Sequence, residues 1–443
     1  FQLRYCTNEE DFNQCVEQSQ PCLIMIDDIK HNGYNFTDGN GLISKGLAKK
    51  IDEKKLFDKQ TSTGSSAYQI RLAGCKGLVI IDPSSTFDQF YIKIRRSMVK
   101  FESDDWTLDI CEWSKPIPTA LNNQIILLLS DLGVPNETFL KIQQRYFQSD
   151  DHTVSNDDIK KNKYPLPKNE CRYMFGCSLK SPLKPGQCFI RYEILDDNRQ
   201  QTNRFACVQG RVIVTKNPCP YAGDMIELWA VDIPELYDLK DVIVFPVEGE
   251  RPHFDEIAGS DLDGDHYWVY WGSEFHLDPQ KKVPPLAYTS FPKKDHLNPI
   301  TADVIIDHIL STFGARSFGE IYNLHMIVVD KNQEKNNQPT CQKTAIRLAN
   351  LFSIAIDSSK TGAIIDREEL QSIRKTVGYS YPDFLQNSSK PSYRSESILG
   401  QLYRGGLLFI ESNKSSLEQL PSLETKSLSL NIPSIQQLPQ HDS

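Results

Sequence analysis

The chain predicts an α+β fold in which two β-rich blocks are followed by a helical region. Three observations carry this. Short β-type runs separated by turn residues fill the stretches around 67–113 and 187–271. A strongly apolar helical pattern, Leu121 to Leu132, lies between them and is stopped by Gly133 and Pro135. Beyond His276 the pattern turns to helical spacing.

In the first block the strand candidates are Tyr68 to Leu72, Gly77 to Ile81, Phe90 to Ile94 and Trp106 to Cys111. Ahead of it, Asp38 to Ile51 reads as a helix with Leu42, Ile43, Leu47 and Ile51 on one face, followed by a loop from Thr61 to Ser66. Asn136 is a candidate cap for a helix from Glu137 to Phe147, and a polar loop runs from Gln148 to Asn169. The second block offers Cys188 to Ile194, Phe205 to Val214, Met225 to Val231, Asp241 to Phe245 and His266 to Trp271. Helices are then expected at Ala302 to Phe313, Cys341 to Ile356 and Arg367 to Val377, the last opened by an Asp366–Glu369 capping box. From Ser412 on, Ser, Gln and three prolines without periodicity predict a tail that is disordered or weakly helical.

At 443 residues, 39% hydrophobic and 24% charged, the chain has the composition of a globular protein of several domains. The longest apolar run, Ile125 to Leu129, is far short of the roughly 20 residues of a membrane helix, so no membrane association is expected. The chain opens on Phe1 in mid-pattern, without a basic-then-apolar leader, and reads as a piece of a longer protein. Eleven cysteines, odd in number and scattered singly, predict reduced and mostly buried thiols in a nuclear or cytoplasmic protein. The net charge of −9 is unevenly spread. Lys160 to Lys216 holds seven Lys and five Arg against two Glu and two Asp; Pro218 to Glu274 holds eight Asp and six Glu against Lys240 and Arg251. A basic stretch feeding an acidic one suits a nucleic-acid backbone surface beside a metal site.

The stretch with chemistry in it is Gly259-Ser-Asp-Leu-Asp-Gly-Asp-His266. Three carboxylates at i, i+2 and i+4 are spread along an extended chain, but Gly264 lets the loop curl and gather them. Concentrating three negative charges is costly without a divalent cation, and hard oxygen donors favour Mg²⁺ or Mn²⁺, or Ca²⁺, over zinc. A calcium EF-hand loop is a poor match, since counting from Asp261 its required Gly and Glu positions hold His266 and Gly272. A solvated acidic turn is disfavoured by the apolar β-type sequence that follows at once. A phosphoryl-transfer metal site fits best, with Asp261, Asp263 and Asp265 as ligands and Asp263 central.

The run Ala258-Gly-Ser-Asp-Leu-Asp-Gly-Asp-His-Tyr-Trp268 resembles the signature loop of the eukaryotic RNA-dependent RNA polymerases of gene silencing. Further segments are similar to that family in its order: Gln69-Ile-Arg-Leu-Ala-Gly-Cys-Lys-Gly77, Arg96-Ser-Met-Val-Lys-Phe101, Val212-Ile-Val-Thr-Lys-Asn-Pro-Cys-Pro-Tyr-Ala-Gly-Asp224, Ala355-Ile-Asp-Ser-Ser-Lys-Thr-Gly362 and Tyr381-Pro-Asp-Phe384. The resemblance runs from about Thr37 to Arg404 and implies two double-psi β-barrels forming the catalytic core, then a helical head-like region. The expected division is a leading segment 1–66, a first barrel 67–119, a helical connector with the basic loop 120–186, a second barrel with the aspartates 187–275, a helical region 276–411 and the tail 412–443.

The resemblance also implies an RNA template and nucleoside triphosphates as substrates, magnesium (or manganese) as cofactor, and silencing-pathway proteins as partners. By resemblance Lys76 and Lys100 bind the triphosphate. Lys76 additionally lies between Gly74 and Gly77, where backbone can approach a ligand. Lys216 stands where the family often has Arg; it keeps the charge but gives up the bidentate geometry. Arg95 and Arg96 are candidates for contacts to a nucleic-acid backbone or, equally, for a strand-edge role, and Lys360 is a further nucleic-acid candidate beside Asp357. His266 reads as a packing residue next to the metal loop. Two other functions stay open at this point: a DNA-templated single-chain relative, and an inactive fragment that binds RNA or scaffolds partners.

Overall fold

The computed structural model describes residues 3–54, 64–149, 154–288, 300–314, 318–333, 338–361, 363, 365–386 and 389–418. Its framework is two seven-stranded sheets and a helical layer.

The first sheet contains β1 (Arg4–Cys6), β2 (Cys22–Ile26), β5 (Asn40–Ile43), β6 (Ala67–Leu72), β7 (Cys75–Ile81), β8 (Tyr91–Arg95) and β9 (Asp109–Trp113). A small hairpin, β3 (Lys30–His31) and β4 (Tyr34–Asn35), hangs between β2 and β5. The strand order is β1-β2-β8-β5-β7-β6-β9. The helix expected over Asp38 to Ile51 is in fact strand β5 followed by a helix, Lys45–Glu53. Ser44 separates the two by accepting from the amide of Leu47. Four apolar positions at helical spacing were half strand and half helix, because β5 finds partners on both sides, β7 and β8. Gly41 permits this crowding: a Cβ there would lie 2.5 Å from the carbonyl oxygen of Lys93.

The second sheet contains β10 (Cys171–Ser178), β11 (Gln187–Leu195), β12 (Gln201–Cys207), β13 (Gly210–Lys216), β14 (Ile226–Ala230), β15 (Val242–Phe245) and β16 (His266–Tyr270). Its order, β12-β11-β14-β13-β16-β10-β15, is closed by pairing of β15 back onto β11, so six of the strands form a complete barrel with β12 outside. This is the second of the two double-psi β-barrels expected for the catalytic core, while the first sheet runs open from β1 to β9. Closure removes the exposed edges that an open sheet would present. The run Phe205 to Val214, expected as one strand, is two, β12 and β13, broken at Gly210 with φ +104°. No strand was expected over 171–178, which fell in the expected connector, yet β10 sits inside the barrel between β15 and β16. It is buried along nearly its whole length and so lacks the alternation that marks a half-exposed strand.

An apolar seam joins the sheets: Ala67, Leu78 and Ile80 of the first pack with Phe175, Phe189 and Val244 of the second. Polar ties reinforce it, from Ser178 N to Asn40 Oδ1 at 2.7 Å and from Ser66 Oγ to the Lys240 carbonyl at 2.6 Å. On the far side of the barrel, Trp268 and Tyr270 enter the largest core, which the helices 123–131, 136–148, 318–332, 343–361 and 398–418 complete. The helix Phe318–Asn332 was not anticipated; its middle, Leu324 to Val329, is buried all round and carries no amphipathic signal. Helix Arg367–Val377 has the expected bounds and its Asp366 cap. The last helix, Ile398–Glu418, runs six residues past Ser412, which corrects the start of the tail; residues 419–443 lie outside the described residues.

Candidate active site between the two sheets

The loop from Gly259 to Asp265 lies between the short helix His253–Glu256 and β16 and faces the first sheet. Its shape comes from left-handed backbone at Ala258 (φ +54°), Gly259 (φ +62°) and Gly264 (φ +128°). Gly264 is required by packing too, since a Cβ would fall 1.9 Å from Gln69 Nε2. Across the gap, Gly39 (φ +80°) approaches so closely that its Cβ would meet Asp263 Cβ at 2.7 Å. The loop is tied to the first sheet by Leu262 N donating to the Asp38 carbonyl at 2.8 Å and Gln69 Nε2 donating to the Asp263 carbonyl at 3.2 Å. It is tied to its own barrel by Gly176 N donating to the Asp265 carbonyl at 3.2 Å.

Each sheet contributes one lysine to the carboxylates. Lys76 Nζ of β7 is 2.6 Å from Asp263 Oδ2, and Lys216 Nζ of β13 is 2.6 Å from Asp265 Oδ2. Among the described residues no such cation pairs with Asp261. Its carboxyl is pushed up to about 7 by burial and then by the charges of Asp265 and Asp263. A cluster still short of positive charge after two lysines, and built of hard oxygen donors, fits a divalent ion of the magnesium class. Beside the carboxylates opens a cavity of about 260 Å³, lined among others by Gln69, Lys76, Lys216, Tyr288, Phe352 and Asp357. A second, wider groove of about 720 Å³ meets the site at Asp261 from the other side; Lys30, Tyr34, Asp38, Ser97 and Lys100 line it.

The lysines expected together therefore stand apart. Lys76 and Lys216 face the first cavity, whereas Lys100 lines the second groove and donates to the Ser97 carbonyl at 2.8 Å. Arg95 resolves to its strand-edge role: it is 6% exposed, with Nε on the Asn40 carbonyl at 2.7 Å and Nη1 on the Asp27 carbonyl. A guanidinium spent on two carbonyls inside the sheet is not free for a phosphate, which corrects its place among the nucleic-acid candidates. Arg96 is outside, with its side chain 76% exposed and only a long contact to Asp27. Lys360 belongs to the helix Lys343–Thr361, but its side chain lies outside the described residues. His266 packs as expected, its ring 4.0 Å from that of Phe175 and 5.1 Å from that of Tyr173, and burial lowers its pKa.

Gln69, Asp38 and Gly39 were missed as site residues, because their roles arise only when the sheets dock. One signal existed for the first: Gln69 opens the segment that ends in Lys76-Gly77.

The model of the RNA dependent RNA polymerase family matches residues 6–164 and 154–405. The chain belongs to the RNA-dependent RNA polymerase family. It is 34% identical over 433 residues to a probable RNA-dependent RNA polymerase 1 of Oryza sativa subsp. japonica, covering 86% of this chain and 55% of that one. To RNA-dependent RNA polymerase 6 of Arabidopsis thaliana it is 32% identical over 436 residues, 86% of this chain and 36% of the relative. Among solved structures, the RNA dependent RNA polymerase QDE-1 from Thielavia terrestris superposes with a TM-score of 0.68 at 18% identity, covering 91% of this chain and 54% of that one. The chain thus spans between about a third and about half of the length of the curated relatives it matches.

Proposed function

We propose that the chain carries the catalytic centre of an RNA-directed RNA polymerase that makes double-stranded RNA for small-RNA gene silencing. The observation that carries this reading is the loop of Asp261, Asp263 and Asp265, held between two sheets that each deliver a lysine to it. In the reaction a strand's 3′-hydroxyl oxygen forms a bond to the α-phosphorus of a nucleoside triphosphate. The bond from that phosphorus to the bridging oxygen breaks, pyrophosphate leaves with the electron pair, and the hydroxyl proton passes to solvent.

Asp261, Asp263 and Asp265 would hold magnesium (or manganese), which when bound supplies the Lewis acid for the attacking and leaving oxygens. Lys76 and Lys216 supply the ammonium donors for triphosphate oxygens, exchanging a carboxylate partner for a phosphate one. Gln69 and the Asp38 carbonyl fix the loop against the first sheet, so that the carboxylates need little rearrangement. Phe352 and Ile356 give the cavity an apolar wall on which a base can lie. Lys100, on the opposite side of Asp261, belongs with the strand that brings the hydroxyl, and exposed Arg96 extends that side toward a nucleic-acid backbone. Lys360 stays a candidate contact from the helical layer.

Among the described residues no helix is long and apolar enough to cross a membrane. A nuclear or cytoplasmic site of action and silencing-pathway partners belong to the same proposal.

The test uses the full-length parent protein with single-stranded RNA, four nucleoside triphosphates and Mg²⁺. Asp263→Ala should abolish incorporation while RNA binding persists. Incorporation by that variant above a template-free control overturns the metal assignment. Substituting a DNA template separates this reading from the DNA-templated relative, and an inactive wild type with intact RNA binding would favour the scaffold.

A further inference from the structure

Far from the aspartates, the edge of the first sheet contains a cluster that polymerase chemistry does not use. Strand β1 ends at Cys6, the helix Glu9–Glu17 carries Asp11 and Cys15, and β2 begins at Cys22. Because β1 and β2 are parallel neighbours, the helix joining them crosses back over the edge and brings its own cysteine down onto theirs. Cys6, Cys15 and Cys22 are 1%, 1% and 0% exposed. Cys6 Sγ lies 3.8 Å from Cys15 Sγ, and Cys22 is buried beside them in the same small core. Ligand atoms of Cys6, Cys15 and Asp11 all fall within 4.8 Å of one another, and this is the one such group of three among the described residues.

We propose that Cys6, Cys15, Cys22 and Asp11 form a structural site for a thiophilic divalent metal, zinc above all. In a tetrahedral site with metal–sulfur bonds of about 2.3 Å, neighbouring sulfurs are about 3.8 Å apart, which is the separation found for Cys6 and Cys15. A disulfide would instead need about 2.05 Å. Cys6, Cys15 and Asp11 are already gathered, and with the Cys22 side chain drawn in, three thiolates and one carboxylate make the closed, four-coordinate set of a structural rather than catalytic site. Asp11 is oriented for this by Arg4, whose Nη2 donates to its Oδ1 at 2.6 Å, as outer hydrogen bonds commonly orient metal ligands. Arg4 also offsets one unit of the net negative charge the complex would carry.

Burial, then the neighbouring Cys15, raises Cys6 to about 11, and burial raises Cys22 to about 12. Binding exchanges thiol protons, released to solvent, for one divalent ion, with no change of oxidation state. Its structural effect is to staple the helix Glu9–Glu17 onto the outer edge of the sheet. That helix is otherwise held by a small core of six buried side chains, three of them cysteines, with Val16 and Ile26 at its margin and the Arg4–Asp11 ion pair outside it. The second metal class is chemically separate from the first, since oxygen-seeking magnesium does not compete for thiolates.

The experiment is metal analysis of the whole chain, expressed without a histidine tag in zinc-supplemented medium, with the elements counted per protein. About one zinc per chain is expected, falling to background in Cys6→Ser/Cys15→Ser. Because that double variant can lose its edge of the fold, the unmutated chain is also reconstituted with Co²⁺. Three thiolate ligands should give an intense thiolate-to-cobalt charge-transfer band and tetrahedral d–d absorption, which Asp11→Ala should shift without abolishing. Zinc at background together with no such cobalt spectrum overturns the site, and so does a Cys6–Cys15 disulfide found by mass spectrometry in the freshly purified chain.

Discussion

Gly39→Ala isolates how far polymerase chemistry depends on the fit between the two sheets. Gly39 touches no carboxylate, yet a Cβ on it would lie 2.7 Å from Asp263 Cβ, 2.8 Å from its amide nitrogen and 2.9 Å from its Cα. Carbon atoms in comfortable contact are about 3.5 Å apart, so the loop or the strand must give by about 0.8 Å. The strand is anchored by Gly39 N donating to Ser97 Oγ at 3.0 Å and by the Gly39 carbonyl accepting from Leu78 N at 2.9 Å. The displacement therefore goes into Asp263, stretching its contacts with Lys76 and Gln69. A misplacement of about 1 Å at reacting groups costs about 100-fold in rate, and that loss is expected in kcat for nucleotide incorporation by the full-length parent. Left-handed backbone adds a strain of about 1–2 kcal/mol to any alanine at φ +80°. Gly186→Ala controls for it, having φ +81° and nothing within 4 Å of its Cβ. Gly39→Ala should lose more stability than Gly186→Ala, which carries the backbone strain alone, and only Gly39→Ala should lose turnover. If Gly39→Ala incorporates nucleotides within twofold of wild type, or Gly186→Ala is equally impaired, docking of the sheets does not set the geometry of the aspartates.

Two further outcomes follow from the cavities and from a buried acid. Lys76→Ala should raise KM for nucleoside triphosphates strongly while RNA binding stays near wild type, whereas Lys100→Ala, on the other side of Asp261, should weaken use of the primer or initiating strand more than use of the triphosphate. Identical profiles for the two would show that they serve one subsite. Asp224 is fully enclosed, and burial raises its carboxyl from 3.8 to about 7 even though it accepts from Tyr288 Oη at 2.5 Å. Between those two values the unfolded chain has lost the proton and the folded chain retains it, so folding becomes less favourable as pH rises from about 4 to about 7 and levels off above. Asp224→Asn should remove that slope; a thermal midpoint whose pH dependence is unchanged in the variant would place the cost elsewhere.

What could be read from the sequence was what local chemistry writes locally. The aspartate loop, with its glycine, was visible as a gathering of carboxylates, and most barrel strands were visible from alternation between turns. Strand β10 was not, because a strand buried on both faces has no alternation, and Arg172 at its start, fully buried over the Tyr192 ring, looked like a surface charge. Leu42 and Ile43 satisfied a helical period, and only pairing with two neighbouring strands decides against it. The same reason hid Gln69, Gly39 and the gathering of Cys6, Cys15 and Cys22: each acquires its meaning from a neighbour distant in sequence. Arg95 stood evenly between a nucleic-acid contact and a strand-edge role, and only the carbonyls of Asn40 and Asp27, distant in sequence, favour the second.

The two lysine–aspartate contacts make the centre behave as a coincidence detector. Lys76 comes from one sheet and Lys216 from the other, while the loop they address belongs to the second sheet alone. A nascent chain that has folded only its first sheet has a stray ammonium and nothing for it to meet. A second barrel folded alone has three crowded carboxylates with a single counter-ion. On the proposed function, competence is expected only when both halves are present and in register, with a mispaired or half-built molecule silent rather than partly active. Cutting the chain between the sheets and supplying the two pieces separately would then turn nucleotide incorporation into a readout of their reunion.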